Sequence, residues 1–216
     1  MPRRDPRFPT LEILDHPLLL DRLTQLRDRH TEPARFRHLV AEAAWFVGIE
    51  ATRDLALGAR RIETPLMPME APRLAEPTPL LVAILRAGLG MVEGLLQLLP
   101  DAPVGHLGHY RDPASHRPVA YYARLPAHRG RRVLLLDPML ATGGTAVAAM
   151  ADLARHGIEP SRVTLLCLLA APEGVLALTQ AYPDLRILTA ALDERLDERA
   201  YIRPGLGDAG DRQFGG

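Results

Sequence analysis

Hydrophobic residues along the chain form short unbroken runs, separated by longer segments in which they recur at helical spacing. The short runs predict strands that are buried on both faces, as in a parallel sheet covered by helices on each side. These predicted strands are residues 80–85, 104–110, 133–136, 163–169 and 185–192.

The segments with helical spacing lie before and between these strands. They predict helices at residues 15–29, 33–57, 89–99, 146–156 and 173–181. A repeated order of strand, loop and helix is typical of βαβ units, whose strands run parallel. We therefore expect one α/β domain over residues 1–216, with a mainly parallel central sheet flanked by helices.

Two segments that contain prolines interrupt this pattern. Residues 62–79 hold too many prolines for a continuous helix or a central strand, so we expect an irregular stretch with one edge strand. Residues 112–118 are polar, and the chain is expected to return as a strand at 119–125. Together with the strand at 104–110, this predicts a hairpin arm.

Composition narrows the possible partners and location. Lys plus Arg and Asp plus Glu both number 26, so the charge balance does not favour nucleic acid as a partner. No hydrophobic run approaches the roughly 18 residues of a membrane span, and residues 1–6 lead into no hydrophobic segment of an export signal. Cys167, the single cysteine, lies in a hydrophobic run and is expected to be an inert buried thiol. We expect a cytoplasmic protein without membrane or nucleic-acid partners.

The segment after the strand at 133–136 combines hydroxyls and glycines at the start of a predicted helix. The unpaired N–H groups of a helix start, and the positive end of its dipole, attract a phosphate. Gly143 and Gly144 would let the backbone approach the anion, while Thr142 and Thr145 would donate from their hydroxyls. An ordinary connection between a strand and a helix is the alternative interpretation. Neither a Walker loop nor a Gly-x-Gly-x-x-Gly turn is present.

Charged residues follow two of the predicted strands, at the edge where open α/β sheets bind ligands. Asp137 follows the strand at 133–136, and Arg86 follows the strand at 80–85. Arg86 has two explanations: an ion pair with a surface carboxylate, or a two-point clamp on a diphosphate. The glycine-rich tail at 204–210 indicates either a flexible end or, as we favour, a backbone that bends closely around a ligand.

Three motifs in this chain resemble those of uracil phosphoribosyltransferases. They read ILRAGLGM at residues 84–91, DPMLATGGT at residues 137–145 and YIRPGLGDAGDR at residues 201–212. Weaker similarity runs from His16 to the end of the chain. The resemblance implies a phosphoribosyltransferase-like fold, with a hairpin arm that folds over the active site and a C-terminal loop that binds the base.

The resemblance also implies a pyrimidine-salvage reaction, in which uracil and 5-phospho-α-D-ribose 1-diphosphate (phosphoribosyl pyrophosphate) give UMP and pyrophosphate. The implied catalytic residues are Asp137, Arg86, Arg111 and Asp208. Those implied to bind phosphoribosyl pyrophosphate are Arg86, Arg111, Asp137, Pro138, Met139, Leu140, Ala141, Thr142, Gly143, Gly144, Thr145 and Asp208. Those implied to bind uracil are Ile202, Gly207, Asp208 and Ala209.

Cofactor and partners follow from the same resemblance. Mg²⁺ is the implied cofactor, and it is expected to arrive on the substrate's diphosphate without a direct protein ligand. A homodimer or a larger homo-oligomer is the implied assembly. GTP is a candidate allosteric activator, because some members of the family respond to it.

The resemblance favours uracil over other bases. Many phosphoribosyltransferases carry two adjacent acidic residues in the phosphate loop, whereas Asp137 is followed by Pro138, as in the uracil family, and this argues against a purine substrate. Uracil offers N3–H as a donor and O4 as an acceptor, and cytosine reverses both. Each reversed contact would cost about 1–3 kcal/mol, so cytosine should be rejected.

Two departures from the family pattern bear on the site. Arg203 replaces an aliphatic residue beside the base loop; its side chain is expected to point to solvent, with the pyrophosphate or a neighbouring subunit as the alternative partner. Residues 112–117 differ from the acidic, Thr-containing hairpin of the family. Two other functions stay open: a regulator that senses UMP or phosphoribosyl pyrophosphate without catalysis, and a phosphoribosyltransferase for another base.

Overall fold

The computed structural model describes residues 2–111 and 118–215, with Arg111 and Pro118 described in their backbone only. The expectations for residues 112–117 lie outside the described residues. The helices are α1 (Pro17–Arg27), α2 (Pro33–Ala51), α3 (Leu89–Leu98), α4 (Gly144–Arg155), α5 (Pro172–Ala181) and α6 (Ala209–Phe214). The strands are β1 (Arg3–Asp5), β2 (Phe8–Ile13), β3 (Leu57–Glu63), β4 (Pro68–Leu74), β5 (Leu80–Leu85), β6 (Val104–Arg111), β7 (Pro118–Arg124), β8 (Val133–Leu136), β9 (Met139–Leu140), β10 (Val163–Leu166), β11 (Leu169–Ala170), β12 (Arg186–Thr189), β13 (Ala191–Leu192), β14 (Arg195–Leu196) and β15 (Ile202–Arg203).

An eight-stranded sheet of order β1-β2-β12-β10-β8-β5-β6-β7 forms the centre of the fold. The strands from β2 across to β6 run parallel, and antiparallel pairs at each edge add β1 and β7. The predicted α/β class with a mainly parallel sheet is confirmed. Strands β5 and β8 have the predicted bounds.

Alternate residues of the central strands face opposite layers of helices. In β8, Leu134 and Leu136 join the core beneath α1, α2 and α3, while Val133 and Leu135 join the core beneath α4 and α5. All four residues are at most 2% exposed. Burying such a side chain stabilises the fold by about 1.5–3 kcal/mol, so this short run alone anchors the centre of a three-layer structure.

At the carboxyl ends of three parallel strands, a short break in the strand is followed by a second, two-residue strand. After β8, β10 and β12 the chain leaves the main sheet and soon pairs again as β9, β11 and β13, in a second parallel sheet of order β13-β11-β9. Asp137 lies in the break between β8 and β9, and Cys167 in the break between β10 and β11. Cys167 is fully buried, and desolvation raises the pKa of its thiol to about 12, so the thiol is inert, as predicted.

The one strand expected within residues 62–79 is β4, but its antiparallel pairing with β3 was not predicted, and residues 57–74 form a hairpin of these two strands. The Thr64 N–H donates to the Met67 carbonyl over 3.1 Å, and hydrogen-bonded pairs alternate with non-bonded pairs from there. Pro68 and Pro72 both fall in non-bonded pairs. Proline therefore removes no hydrogen bond from this two-stranded ribbon.

Other differences concern element boundaries. Helix α2 ends at Ala51 and not near residue 57, because the chain extends into β3 at Leu57. Strand β6 includes Arg111, which was expected just beyond it, and the N-terminal strands β1 and β2 were not predicted. The glycine-rich tail enters helix α6 at Ala209. Among the described residues, none of the helices combines the length and hydrophobicity that crossing a lipid bilayer requires.

Candidate active site

The loop between β9 and α4 holds its two glycines in different environments. Gly143 has a φ of 79°, and a Cβ there would lie 2.7 Å from the Gly174 carbonyl oxygen, so both backbone and space require glycine. At Gly144, the first residue of α4, a Cβ would meet only Thr142 Oγ1 at 3.7 Å. The turn therefore places the amide groups at the start of α4 at the carboxyl edge of the sheet, where they can bind an anion.

Asp137 lies where β8 and β9 separate, and it is half-buried. Its N–H donates to the Leu166 carbonyl over 3.2 Å, and its Oδ1 is 3.4 Å from the Met139 nitrogen, which donates to it. Desolvation raises the pKa of the Asp137 carboxyl to about 7, the charge of Asp208 adds to the rise, and the bond from Met139 opposes it. The carboxyl therefore changes its charge near neutral pH.

The tail folds back towards this carboxyl. Ile202 and Arg203 form β15, and the chain then turns through Gly205 and Gly207, which have φ of 66° and 82°. Asp208 caps α6, because its side-chain oxygen accepts a hydrogen bond of 2.9 Å from the Asp211 N–H.

Residues 137–145, called the phosphate loop after the role that the resemblance implies, meet the tail at one cavity of about 220 Å³. Ligand pockets for drug-sized molecules are about 300–1,000 Å³, so this cavity suits a smaller ligand such as a single ring. The predicted site residues that line it are Asp137, Met139, Ala141, Ile202, Gly207, Asp208 and Ala209. The structure thus brings both halves of the predicted site together.

Other predicted residues lie in the same loop but outside this lining. Pro138 is buried and its carbonyl accepts from the N–H groups of Leu168 and Leu169, while Leu140 is 2% exposed and packs in the core. Residues 142–145 continue past the cavity into the first turn of α4. Proline has no N–H, and the Leu140 carbonyl accepts from the Ala171 N–H over 2.9 Å, so the main-chain carbonyls of both residues are bonded within the protein.

Arg86 lies just after β5 and also outside the cavity lining, and the Leu85–Arg86 peptide is cis. Its Nη2 is 3.3 Å from Asp211 Oδ1, and the two side chains are 59% and 53% exposed. The structure thus realises the ion pair with a surface carboxylate. Such exposed pairs contribute about 0–1 kcal/mol, so a diphosphate can compete for the guanidinium.

Arg111 extends from the neighbouring strand. Leu85 pairs with Gly108, so the backbone of Arg111 continues beyond the end of β5 at the same edge of the sheet. The side chain of Arg111 lies outside the described part of the chain.

A family model described as uracil phosphoribosyltransferase matches residues 13–216. The chain belongs to the uracil phosphoribosyltransferase family. It is accordingly an enzyme of the pentosyltransferase class. It is 49% identical over 213 residues to the uracil phosphoribosyltransferase of Ralstonia pickettii (strain 12J), an alignment that covers 99% of this chain and 98% of that relative.

Solved structures share this fold. The AQ2163 protein from Aquifex aeolicus matches with a TM-score of 0.88 and 36% identity, over 94% of this chain and 97% of that one. The adenine phosphoribosyltransferase of Leishmania donovani matches with a TM-score of 0.59 over 91% of this chain and 89% of that one. At 14% identity, this second likeness concerns the fold alone.

The side chain of Arg203 is 58% exposed, as expected. Its Nε donates to Asp197 Oδ2 over 2.8 Å. The pKa of Asp197 is lowered, first by the hydrogen bond from the Tyr201 N–H and also by the one from Arg203. Arg203 is therefore held within its own hairpin of β14 and β15.

Three residues that sequence reasoning did not single out also line the cavity: Ala87, Ala200 and Tyr201. Ala87 and Tyr201 fall within the family motifs, which was the signal available for them. Ala200 has a φ of 63°, a conformation that favours glycine, and nothing in the sequence marks it.

Proposed function

We propose that this enzyme, as a single domain over residues 1–216, transfers the phosphoribosyl group of phosphoribosyl pyrophosphate to uracil and releases pyrophosphate, giving UMP. The shared cavity carries the proposal, because Asp137 of the phosphate loop and the tail residues from Gly207 to Ala209 line the same space. Because the cavity has room for a single ring, it would hold the base. The phosphoribosyl part of the substrate would then bind outside it, at the edge of the sheet beside α4.

The start of α4 would bind the 5-phosphate of the substrate. The amides of its first turn carry the positive end of the helix dipole, and the turn at Gly143 keeps side chains out of their way. The hydroxyls of Thr142 and Thr145 would add donors at the same place.

Asp137 and the two arginines would act on the reacting bond. Its cleavage builds positive charge on ribose and negative charge on the departing pyrophosphate. Asp137, once ionised, would accept hydrogen bonds from the ribose hydroxyls and orient the ring. Arg86 and Arg111 would neutralise the pyrophosphate, and the weak ion pair of Arg86 with Asp211 leaves its guanidinium available for this.

Mg²⁺ would enter with the substrate's diphosphate. Within residues 2–111 and 118–215, no cluster of three or more His, Cys, Asp or Glu side chains could hold a metal ion alone, while Asp137 and Asp208 share the cavity. One or two carboxylates plus substrate phosphates are a usual environment for Mg²⁺, so the donor set fits an ion delivered this way. When bound, the ion would reduce the negative charge of the diphosphate.

Main-chain groups of Ile202, Gly207 and Ala209 would select uracil, and Asp208 would face the phosphoribosyl pyrophosphate. Backbone donors and acceptors have fixed polarity, unlike a side-chain amide that can turn over. A base with reversed donors and acceptors therefore leaves buried groups unpaired, which is the strongest basis for rejecting cytosine.

The decisive experiment is an assay of purified protein with phosphoribosyl pyrophosphate, Mg²⁺ and uracil, cytosine, xanthine or adenine in turn. UMP formed from uracil alone is the expected result. A nucleotide formed from another base would replace uracil as the substrate, and binding of UMP without any turnover would favour a sensing regulator. Addition of GTP to the uracil assay tests the allosteric activation that the resemblance implies.

We also propose a homo-oligomer. Every residue of β3 is exposed, and the turn to β4 leaves Leu66 and Met67 94% and 65% exposed. An isolated two-stranded ribbon is marginally stable in water, so contact with a second copy of the chain would stabilise it. Sedimentation velocity should show a dimer or larger species, and Leu66→Asp with Met67→Asp should shift it towards the monomer.

A further inference from the structure

A buried ion pair lies between the end of helix α1 and the base loop, the segment at residues 202–208. Arg27 Nη2 is 2.5 Å from Asp193 Oδ1, and Arg27 Nη1 is 2.8 Å from Asp193 Oδ2. The Asp193 side chain is 5% exposed and that of Arg27 25%. A carboxylate held at this depth is stable only while its oxygens are fully bonded, so each partner depends on the other.

The same two side chains also hold the backbone of Gly205. Asp193 Oδ2 accepts from the Gly205 N–H over 2.9 Å, and Arg27 Nη1 donates to the Gly205 carbonyl over 2.8 Å. Gly205 has a φ of 66°, and a Cβ there would lie 2.1 Å from the Ile202 carbonyl oxygen. The pair thus fixes the turn that directly follows Ile202, which lines the cavity.

Arg212 forms a second tie from the other side of the loop. Its Nη1 donates to the carbonyls of Leu206, over 2.8 Å, and of Leu26, while its Nη2 donates to the Asp28 carbonyl over 2.5 Å. The guanidinium carbon lies 4.3 Å from the ring centroid of Phe36. Carbonyls at a helix end lack partners within the helix, and the arginine supplies donors to them.

We propose that Arg27 and Asp193, supported by Arg212, are positioning residues that hold the base loop in its uracil-binding shape before the base arrives. Within the described parts of the chain, none of the three lines the cavity, and their bonds to the loop are made to Gly205 and Leu206. A recognition surface made of main chain has no side chains to adjust, so its affinity depends on a preformed backbone. This inference rests on the proposed function.

The test compares Asp193→Asn and Arg27→Met with Arg22→Met. This control, on the same helix as Arg27, breaks the ion pair of 2.9 Å between Arg22 of α1 and Glu42 of α2. Asp193→Asn and Arg27→Met should each raise KM for uracil at least about tenfold, since a charge-assisted hydrogen bond is lost. KM for phosphoribosyl pyrophosphate should stay within about twofold of the wild-type value. The double variant should match the worse single variant, because both side chains act on the same residue, Gly205. The control should leave both KM values unchanged.

A second measurement does not need turnover. Hydrogen exchange, followed by mass spectrometry, should accelerate in peptides that cover residues 202–208 of Asp193→Asn, and not in peptides that cover residues 137–146. An unchanged KM for uracil, an equal rise in both KM values, or unaltered exchange at 202–208 would each overturn the inference. If the wild type forms no UMP, the proposed function fails. The exchange result still decides whether Arg27 and Asp193 order the base loop. Arg27→Lys, which keeps the charge, replaces Asp193→Asn if that variant does not fold.

Discussion

His109 Nε2 lies 2.7 Å from Asp152 Oδ2, and the two side chains are only 2% and 3% exposed. The contact joins β6, the strand that ends at Arg111, to α4, the helix that follows the phosphate loop. The other oxygen of Asp152 is 2.5 Å from Arg155 Nη2. A polar link inside the protein thus connects two elements that carry predicted site residues.

Breaking this pair from one side should be costly. Asp152→Ala removes the partner of His109 Nε2, while His109 Nδ1 has no hydrogen-bond partner within the described structure. We expect the free energy of unfolding to fall by about 1–3 kcal/mol, because the buried imidazole of His109 is left without a hydrogen-bond partner. His109→Leu combined with Asp152→Leu should recover most of that loss, because apolar side chains need no partners. Urea denaturation measures both; a single variant that costs under about 1 kcal/mol would contradict the expectation.

The titration of Asp137 should appear in the pH dependence of the reaction. Desolvation, followed by the charge of Asp208, raises the pKa of this carboxyl to about 7, and the ionised form is the one that accepts from ribose hydroxyls. We expect kcat/KM for phosphoribosyl pyrophosphate to increase from pH 6 to pH 8 with a midpoint near 7. Asp137→Asn should lower kcat/KM by about 100-fold and lose this limb of the profile. The residual profile of the variant reports the substrate's own ionisation and serves as the reference.

The same carboxyl should make the protein less stable as pH rises. Its pKa is about 4 in the unfolded chain and about 7 in the folded protein, so the folded state binds the proton more tightly. Stability is unaffected below pH 4, declines as pH rises from 4 to 7, and the full cost remains above 7. Asp137→Asn should therefore raise the melting temperature, with a gain that grows up to pH 7 and then levels off. Calorimetry between pH 4.5 and 8 checks this, and a gain independent of pH would contradict it.

The two glycines of the phosphate loop should respond differently to alanine. Gly143→Ala meets both a positive φ and the Gly174 carbonyl oxygen at 2.7 Å, so it should lower stability by about 1–3 kcal/mol and abolish activity. Gly144→Ala has room in the fold and should keep its melting temperature. Its methyl group would still approach the site proposed for the 5-phosphate, so KM for phosphoribosyl pyrophosphate should rise. Normal KM in Gly144→Ala would argue against a phosphate at that turn.

The hydrophobic pattern predicted the central layers well but not the periphery. Strands β5 and β8 are unbroken hydrophobic runs buried on both faces, and such runs have few alternatives. The hairpin of β3 and β4 escaped prediction because proline is compatible with one edge of a ribbon, and the sequence does not show which N–H groups point outward. Helix α6 was hidden by the glycines around its Asp208 cap.

The candidate site was likewise predictable only in part. Family motifs located residues along the chain, and the fold brought Asp137 and Asp208 to one cavity. The partnership of Arg27 with Asp193 spans 166 positions and leaves no periodic or compositional trace, so it required the tertiary structure. The partner of Arg86 on α6 was unpredictable for the same reason.

One stabilising change lies at the rim of the cavity. Ala200 has a φ of 63°, which costs a residue with a Cβ about 1 kcal/mol relative to glycine. Ala200→Gly should stabilise the protein by about that amount in chemical denaturation. Gly205→Ala is the matched opposite, since it adds a Cβ at a φ of 66° within 2.1 Å of the Ile202 carbonyl oxygen, and it should be destabilising. Equal effects of both changes would contradict this account of the backbone.

The burial of Cys167 between β10 and β11 has a practical consequence. Its thiol is 0% exposed, its Sγ lies 3.6 Å from the Leu188 carbonyl oxygen, and its pKa is raised to about 12. Alkylating reagents therefore have no target until the middle of the molecule opens. Because the chain contains a single cysteine, the rate at which Cys167 is alkylated reports how often the core opens. Mass spectrometry measures this rate without an attached probe.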